Sequence, residues 1–237
     1  MHVLRGRART IDADRDESHR LLELAAETGS PAVRVWAPHR QVAFGRRDGR
    51  LEGYDTARVA AEEHGFPPVE RRVGGRAVAY DGETTLAFAR AEPVDDFRRG
   101  TDERYERLTT DVETALADLG ASVDRGEPDE SFCPGAHSLS ITAGVSDENA
   151  ASKKIVGIAQ RVTTDAALVS GILIVDNSEE LAPVLDAVYG TLEVPFDPTS
   201  VGSLRDIDVP ASVEAIRERL ESALCRGCNT RVIDVQS

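Results

Sequence analysis

The two stretches KIVGIAQRV (Lys154–Val162) and AALVSGILIV (Ala166–Val175) decide the fold. Each is a largely apolar run of strand length, which predicts a buried β-strand. The three residues Thr163–Asp165 between them are predicted to form a turn. Two neighbouring buried strands therefore form the expected centre of the sheet.

Shorter segments surround this pair. Apolar residues at helical spacing predict helices at Arg15–Glu27, Thr56–Glu63, Asp102–Leu119, Glu179–Tyr189 and Ala211–Leu224. Strands are predicted at Ala32–Trp36, Gln41–Gly45, Val69–Val73 and Thr230–Val235, and Arg76–Tyr80 is predicted to pair with Thr84–Ala89 as a hairpin across Asp81-Gly82. This order predicts an α+β fold with a mixed, largely antiparallel sheet flanked by helices. We expect one catalytic domain over residues 1–237, in which 205–237 form a C-terminal helix and tail.

The composition is acidic. The 237 residues carry 42 acidic and 28 basic side chains, for a formal net charge of −14. This charge argues against a nucleic-acid partner, which requires a basic surface. No apolar run is long enough to cross a membrane, the first 14 residues lack an apolar signal region, and there are three cysteines. A cytoplasmic location with no membrane partner is therefore expected.

Lysine is nearly absent. Lys153 and Lys154 are the two lysines among the 28 basic residues, so the other 26 are arginines. Abundant carboxylates with few lysines favour adaptation to a salty cytoplasm, although a GC-rich genome also replaces lysine by arginine. A lysine that survives in such a chain indicates a position where the larger guanidinium does not fit. We expect Lys153 to be a solvated strand-edge residue and Lys154 to face inward.

The segment RRVGGRAV at Arg71–Val78 combines paired glycines with three arginines. Glycines after a strand allow a sharp turn, and their N–H groups can bind an anion or a carbonyl oxygen. The arginines can bind phosphate or carboxylate. A structural Gly-Gly turn between strands remains the alternative.

Two other segments contain reactive side chains. Cys133 lies in a turn with Ser131, Pro134 and Gly135, where a neighbouring cation would favour a thiolate nucleophile, and His137 follows four residues later. A small buried hydrophobe is the alternative for Cys133, and an ordinary loop histidine for His137. Cys225-x-x-Cys228 has the spacing of half a zinc site or a redox pair, without a second pair of ligands, and no metal site is predicted.

Three blocks of the sequence resemble the biotin/lipoate protein ligase superfamily. They are VAFGRRDG (Val42–Gly49), ERRVGGRAVAYDGETTLAFA (Glu70–Ala89), and KKIVGIAQRV with ALVSGILIV (Lys153–Val162, Ala167–Val175). The resemblance implies an α+β catalytic domain that transfers an octanoyl or lipoyl chain to a lysine of a carrier domain. Tyr80 stands where the family usually has histidine, and Ile158 where it usually has serine.

The resemblance also implies the site residues. The expected catalytic residues are Cys133 and Lys154. The expected substrate-binding residues are Arg71, Arg72, Gly74, Gly75, Arg76, Ala77, Tyr80, Gly157, Ala159 and Gln160. Lys154 is expected to lie close to Cys133 as a cation and to favour its thiolate.

Two chemistries within the superfamily remain open. The cysteine-type octanoyltransferases read Gly-Gly-Arg-Ala-Val, followed by Glu-x-Thr, with a cysteine upstream of the lysine; this chain matches at Gly74–Val78, Glu83–Thr85 and Cys133. Such an enzyme needs no cofactor besides the acyl substrate. An ATP-dependent lipoate–protein ligase would use ATP and Mg²⁺ and leave Cys133 idle. A non-catalytic partner of a lipoyl domain is the third interpretation.

The expected protein partner is the same for these interpretations. It is an acyl-carrying or lipoyl-carrier protein, either a dehydrogenase acyltransferase subunit or a glycine-cleavage carrier protein. The sequence alone does not choose between these carriers.

Overall fold

The computed structural model describes residues 1–71, 73–142 and 151–236. The strands in this part of the chain are β1 (His2–Arg5), β2 (Ala32–Trp36), β3 (Gln41–Phe44), β4 (Pro68–Glu70), β5 (Val78–Tyr80), β6 (Thr85–Pro93), β7 (Asp124–Arg125), β8 (Ser138–Thr142), β9 (Ser152–Val162), β10 (Ala166–Ile174) and β11 (Arg231–Asp234). The α-helices are α1 (Ile11–Thr28), α2 (Tyr54–Glu63), α3 (Thr101–Ala117), α4 (Ser178–Thr191) and α5 (Val213–Leu224).

The strands form two sheets. In the large sheet the order is β11-β1-β2-β6-β10-β9-β8-β7, and in the small sheet it is β4-β3-β5. β1 runs parallel to β2 and β11, whereas the other neighbours in the large sheet are antiparallel. The predicted mixed, largely antiparallel sheet flanked by helices is therefore confirmed.

β9 and β10 lie inside the large sheet and pair antiparallel, as their sequences predict. β10 buries both of its faces. Leu168 and Ile172 pack into the core shared with α1, α2, α4 and the small sheet, while Val169 and Leu173 pack into the core shared with α3 and α5. Because successive side chains of a strand point to opposite faces, a nearly continuous apolar run can fill both cores.

The predicted hairpin across Asp81-Gly82 is wrong. β5 pairs with β3 in the small sheet, and β6 pairs with β2 and β10 in the large sheet. Asp81 turns the chain between the sheets, because its Oδ1 accepts hydrogen bonds from the backbone N–H groups of Glu83, Thr84 and Thr85. An alternating pattern marks two strands, but it does not specify that they pair with each other.

The two ends of the described chain meet in the large sheet. The predicted C-terminal strand is present as β11, and it pairs in parallel with β1, a strand that the sequence analysis did not predict. β1 is too short and too polar at its ends to give a clear periodic pattern. No helix among the described residues combines the length and apolarity that a membrane span needs.

The small sheet brings the glycine-rich segment against β3. A Cβ atom on Gly45, the residue after β3, would overlap the carbonyl group of Gly75. The lack of a side chain at Gly45 therefore permits this close approach, and it fixes the position of the Gly74-Gly75 turn relative to the sheet.

Candidate active site

The Cys133 sulfur receives two hydrogen-bond donors from the glycine-rich segment. Arg71 Nη2 lies 3.0 Å from Sγ, and the backbone nitrogen of Arg76 lies 3.3 Å from it. Arg71 Nη2 also donates to the Arg76 carbonyl oxygen at 2.6 Å. A cationic side chain and a backbone N–H group are thus both directed at one sulfur, the atom that acts as the nucleophile of a reactive cysteine.

The same contact affects the arginine. Burial is the strongest single influence on the pKa of Arg71 and acts to lower it, but Cys133, Tyr80 and Tyr189 together raise it more, so the pKa lies above its usual value. Arg71 therefore stays cationic, and it provides a permanent charge beside the sulfur.

Gly75 makes this arrangement sterically feasible. Its φ is +99°, and a Cβ atom there would collide with the Arg71 guanidinium and with the Cys133 sulfur. Gly74 is different, because the nearest atom to a Cβ at that position is the Gln160 carbonyl oxygen at 3.8 Å. Of the two glycines, Gly75 is therefore the one that the contact requires.

Cys133 has an unusual backbone conformation for a non-glycine residue, with a φ of +41°. Such a conformation costs free energy, so surrounding contacts must hold it. The hydroxyl oxygen of Tyr189 accepts a hydrogen bond from the Cys133 N–H at 2.6 Å and donates one to the Ala77 carbonyl at 2.9 Å. Burial raises the pKa of Tyr189 well above its usual value, so the hydroxyl keeps the proton that it donates. Tyr189 thus joins the cysteine turn to the glycine-rich segment.

Lys154 holds the other side of the cysteine turn. Its side chain is fully buried, and Nζ donates to Glu127 Oε2 at 2.6 Å, to the Phe132 carbonyl at 2.8 Å and to the Cys133 carbonyl at 2.9 Å. Burial lowers the pKa of Lys154, while Cys133 and Glu127 act to raise it. The ammonium group therefore binds the backbone of Cys133, and the donors that reach the sulfur come from Arg71 and Arg76.

Glu127 completes the support of this turn. Its Oε1 accepts the N–H of Gly135 at 2.9 Å, and its Oε2 accepts the Ser138 hydroxyl at 2.7 Å as well as Lys154. Neither Glu127 nor Tyr189 is among the residues predicted from the sequence. Neither lies in a motif, and Tyr189 is separated from Cys133 by 56 residues.

A cavity of about 390 Å³ opens beside the cysteine. Its wall includes Cys133 and Arg71, and its apolar lining comes mainly from the small sheet, β6 and β10, whereas α1 contributes Leu22 and several polar side chains. The apolar lining residues include Leu22, Trp36, Ala43, Val69, Val73, Val78, Ala87, Ile158, Leu168 and Ile172. An apolar cavity of this size beside a nucleophile suits a flexible acyl chain.

The structure places the remaining predicted residues in different surroundings. Tyr80, Gly157 and Ala159 line the cavity, and burial raises the pKa of Tyr80 to about 12. Arg76 pairs with the buried Asp48 at 3.2 Å. Gln160 accepts a hydrogen bond from Arg104 at 2.5 Å. Arg72 lies outside the described residues.

Three further residues complete the comparison with the sequence analysis. The ring of His137 stacks on Tyr105 at 4.0 Å, and no hydrogen bond joins His137 to Cys133 within the described ranges. Lys153 lies in an interior strand and pairs with Asp206 at 3.1 Å, so it is not the edge residue that we expected. Burial raises the pKa of Cys225 to about 11, which keeps that thiol protonated.

Comparison with known proteins identifies the family. Residues 17–225 match the family model described as the lipoyl protein ligase A/B catalytic domain, so the chain belongs to this family. Lipoate-protein ligase A bound with ATP has a similar structure, with a TM-score of 0.72 and 18% identity over 100% of this chain and 89% of that one. At this identity the similarity shows a shared fold.

Two relatives carry the name octanoyl-[GcvH]:protein N-octanoyltransferase. The one from Exiguobacterium sibiricum is 32% identical over 154 residues, which are 64% of this chain and 51% of that protein. The one from Oceanobacillus iheyensis is 27% identical over 214 residues, which are 86% of this chain and 73% of that protein. The match to the first relative thus spans about half of its length.

Replacement of Lys154 by arginine should destabilise the protein although the charge is kept. The larger guanidinium must fit a fully enclosed site beside Glu127 and Phe132, and overpacking of this kind costs about 1–3 kcal/mol. Thermal unfolding of Lys154→Arg measures this loss. Lys153→Arg is the matched control, because that partly exposed side chain should change stability by no more than about 0.5 kcal/mol. Equal melting temperatures for both variants would contradict the enclosed role of Lys154.

Proposed function

We propose that this protein is an acyltransferase that moves an octanoyl or lipoyl group from an acyl-carrying protein to a lysine of a lipoyl-carrier domain. The observation that carries this proposal is the Cys133 sulfur, which meets Arg71 Nη2 and the Arg76 N–H at the wall of an apolar cavity. The names of the relatives support it, since they describe transfer of an octanoyl group between proteins. A glycine-cleavage carrier protein is the proposed donor or acceptor.

In the first step the Cys133 thiolate attacks the carbonyl carbon of the donor. A carbon–sulfur bond forms, the bond from the carbonyl carbon to the donor's nitrogen or sulfur breaks, and the leaving group takes up a proton. The acyl chain then lies in the cavity as a Cys133 thioester, where each buried methylene stabilises it by about 0.8 kcal/mol. The N–H groups of the Gly74–Ala77 segment are the proposed donors to the developing oxyanion.

In the second step the lysine amine of the acceptor attacks the thioester carbonyl. A carbon–nitrogen bond forms, the carbon–sulfur bond breaks, the amine loses a proton, and the Cys133 thiolate is regenerated beside Arg71. The scheme balances without ATP, a metal ion or a redox cofactor.

The geometry of Lys154 favours transfer over ligation. A ligase would use this lysine to hold the carboxylate and phosphate of an acyl-adenylate. The three N–H groups of the Lys154 ammonium already meet three acceptors inside the protein, and the side chain is fully buried. Lys154 and Glu127 are therefore proposed as residues that position the cysteine turn, and Cys133 as the nucleophile.

Detection of an acyl-enzyme intermediate by mass spectrometry tests the proposal. Wild type and Cys133→Ser are incubated with octanoylated carrier protein, or with lipoate and ATP, and their intact masses are measured. We expect an octanoyl adduct on wild type alone, and hydroxylamine should remove it because it is a thioester. If lipoate and ATP modify an acceptor equally well with both proteins and no thioester forms, the protein is a ligase. Carrier binding without transfer from any donor would make it a non-catalytic partner.

We further propose that the protein works in a cytoplasm of high ionic strength. The net charge of −14 and the near absence of lysine support this. Dissolved salt screens the repulsion between carboxylates, so the melting temperature should rise as KCl increases from near zero to multimolar concentration. A melting temperature that does not change over this range would contradict the proposed adaptation.

A further inference from the structure

Two side chains of the cavity wall, Gln41 and Arg71, have a buried polar atom without a hydrogen-bond partner among the described residues. Gln41 is 7% exposed and lines the cavity, and its Oε1 has no hydrogen-bond donor among the described residues. Burying an amide without a hydrogen bond is unfavourable, so such groups are rare unless a ligand satisfies them. The other lining side chain with an unpaired buried atom is Arg71, through Nε, and it lies at the reactive end of the cavity.

The carboxylate of Asp14, another polar group of the wall, is already satisfied. It accepts hydrogen bonds from the Ala8 N–H, from Arg34 and from the indole N–H of Trp36. These contacts hold Asp14 and Trp36 as a fixed part of the wall. Gln41 Oε1 can therefore accept a hydrogen bond from a bound chain, whereas the Asp14 carboxylate already has its donors.

The strand register places Gln41 at the opposite end of β3 from Gly45. β3 pairs antiparallel with β5, so that Gln41 lies opposite Tyr80 and Ala43 lies opposite Val78. Gly45 then lies against the Gly75–Arg76 segment, which contacts the Cys133 sulfur. Gln41 is four residues from Gly45, or about 13 Å along the strand at a rise of roughly 3.3 Å per residue.

Gln41 and Cys133 therefore line the same cavity at different positions along its wall. Of the two acyl chains, the lipoyl chain carries sulfur atoms on its distal carbons, whereas the octanoyl chain has only carbon and hydrogen there. A hydrogen bond from the chain to the Gln41 amide is therefore open to the lipoyl chain alone.

We propose that Gln41 makes the cavity selective for a sulfur-bearing lipoyl or dihydrolipoyl chain over an octanoyl chain. This inference rests on the proposed function, because it concerns the same cavity. A dihydrolipoyl thiol donates to Gln41 Oε1, and after rotation of the amide the N–H group donates to a dithiolane sulfur. An octanoyl chain offers neither contact and leaves the amide buried without a partner.

Binding of the free acids tests this selectivity without requiring acyl transfer. Lipoate, dihydrolipoate and octanoate share a carboxylate and an eight-carbon chain, so they differ in sulfur. Isothermal titration calorimetry of wild type should give a dissociation constant for lipoate or dihydrolipoate about 5- to 10-fold lower than for octanoate. One additional hydrogen bond is expected to change the affinity by about this factor. In Gln41→Leu the preference should disappear, mainly because octanoate binds more tightly.

A second variant distinguishes loss of sulfur recognition from a general change in the shape of the cavity. Val78→Ala changes the same wall by removing apolar contacts, so it should weaken all three acids by similar factors and keep the preference. Thermal unfolding without ligand gives an independent readout. Gln41→Leu removes an unpaired buried amide, so it should keep or raise the melting temperature, by up to about 2–4 °C.

The following results would overturn the inference. They are octanoate binding to wild type as tightly as the sulfur-bearing acids, a preference that survives in Gln41→Leu, and a marked loss of stability in Gln41→Leu, which would show that the amide has a structural partner. Failure of all three acids to bind also overturns it. The acyl-enzyme experiment with octanoylated carrier decides the proposed function separately, so the two failures can be distinguished.

Discussion

The contact between Arg71 and the Cys133 sulfur is the interaction on which the rest of the site depends. It brings a cationic side chain to 3.0 Å from a thiol at the wall of an apolar cavity. Away from bulk water the attraction between opposite charges is less screened, so the guanidinium interacts more strongly with negative charge on the sulfur than it would at an exposed surface. The absence of a side chain at Gly75 leaves room for this contact.

The surrounding framework holds the sulfur in place. On one side Tyr189 connects the Cys133 N–H to Ala77, and on the other Lys154 and Glu127 hold the Cys133 carbonyl and the following turn. These contacts fix a residue whose φ of +41° is unfavourable by itself. Burial of Lys154 is costly unless its charge is compensated, and Glu127 with the two carbonyl groups provides that compensation.

Local patterns predicted the elements whose signal lies in a single segment. The apolar runs of β9 and β10 and the helical spacing of α1 to α5 are visible in the sequence, and these elements are present in the structure. The hairpin across Asp81-Gly82 was wrong, because alternation does not determine the sheet to which a strand belongs. β1 has only four residues, and it is a strand because it pairs with β2 and β11. This pairing between distant segments leaves no local pattern in the sequence.

The candidate site shows the same limit of local sequence patterns. Sequence motifs selected Cys133, Lys154 and the glycine-rich segment, whose catalytic and binding roles remain predictions. They did not reveal that Arg71 reaches the sulfur while Lys154 reaches the carbonyl, because both depend on how distant segments pack. No motif contains Tyr189, Glu127 or Gln41. Their roles become visible only from the contacts that the fold creates around their polar atoms.

The most direct measurement of the central claim is the rate at which iodoacetamide alkylates Cys133 at pH 7, followed by peptide mass mapping so that Cys225 and Cys228 are scored separately. In Arg71→Met the rate at Cys133 should fall at least about tenfold, because the sulfur loses its cationic hydrogen-bond donor. Arg99→Met removes an equal charge at an exposed position and should leave the rate unchanged. Equal rates at Cys133 in wild type and Arg71→Met would contradict the account.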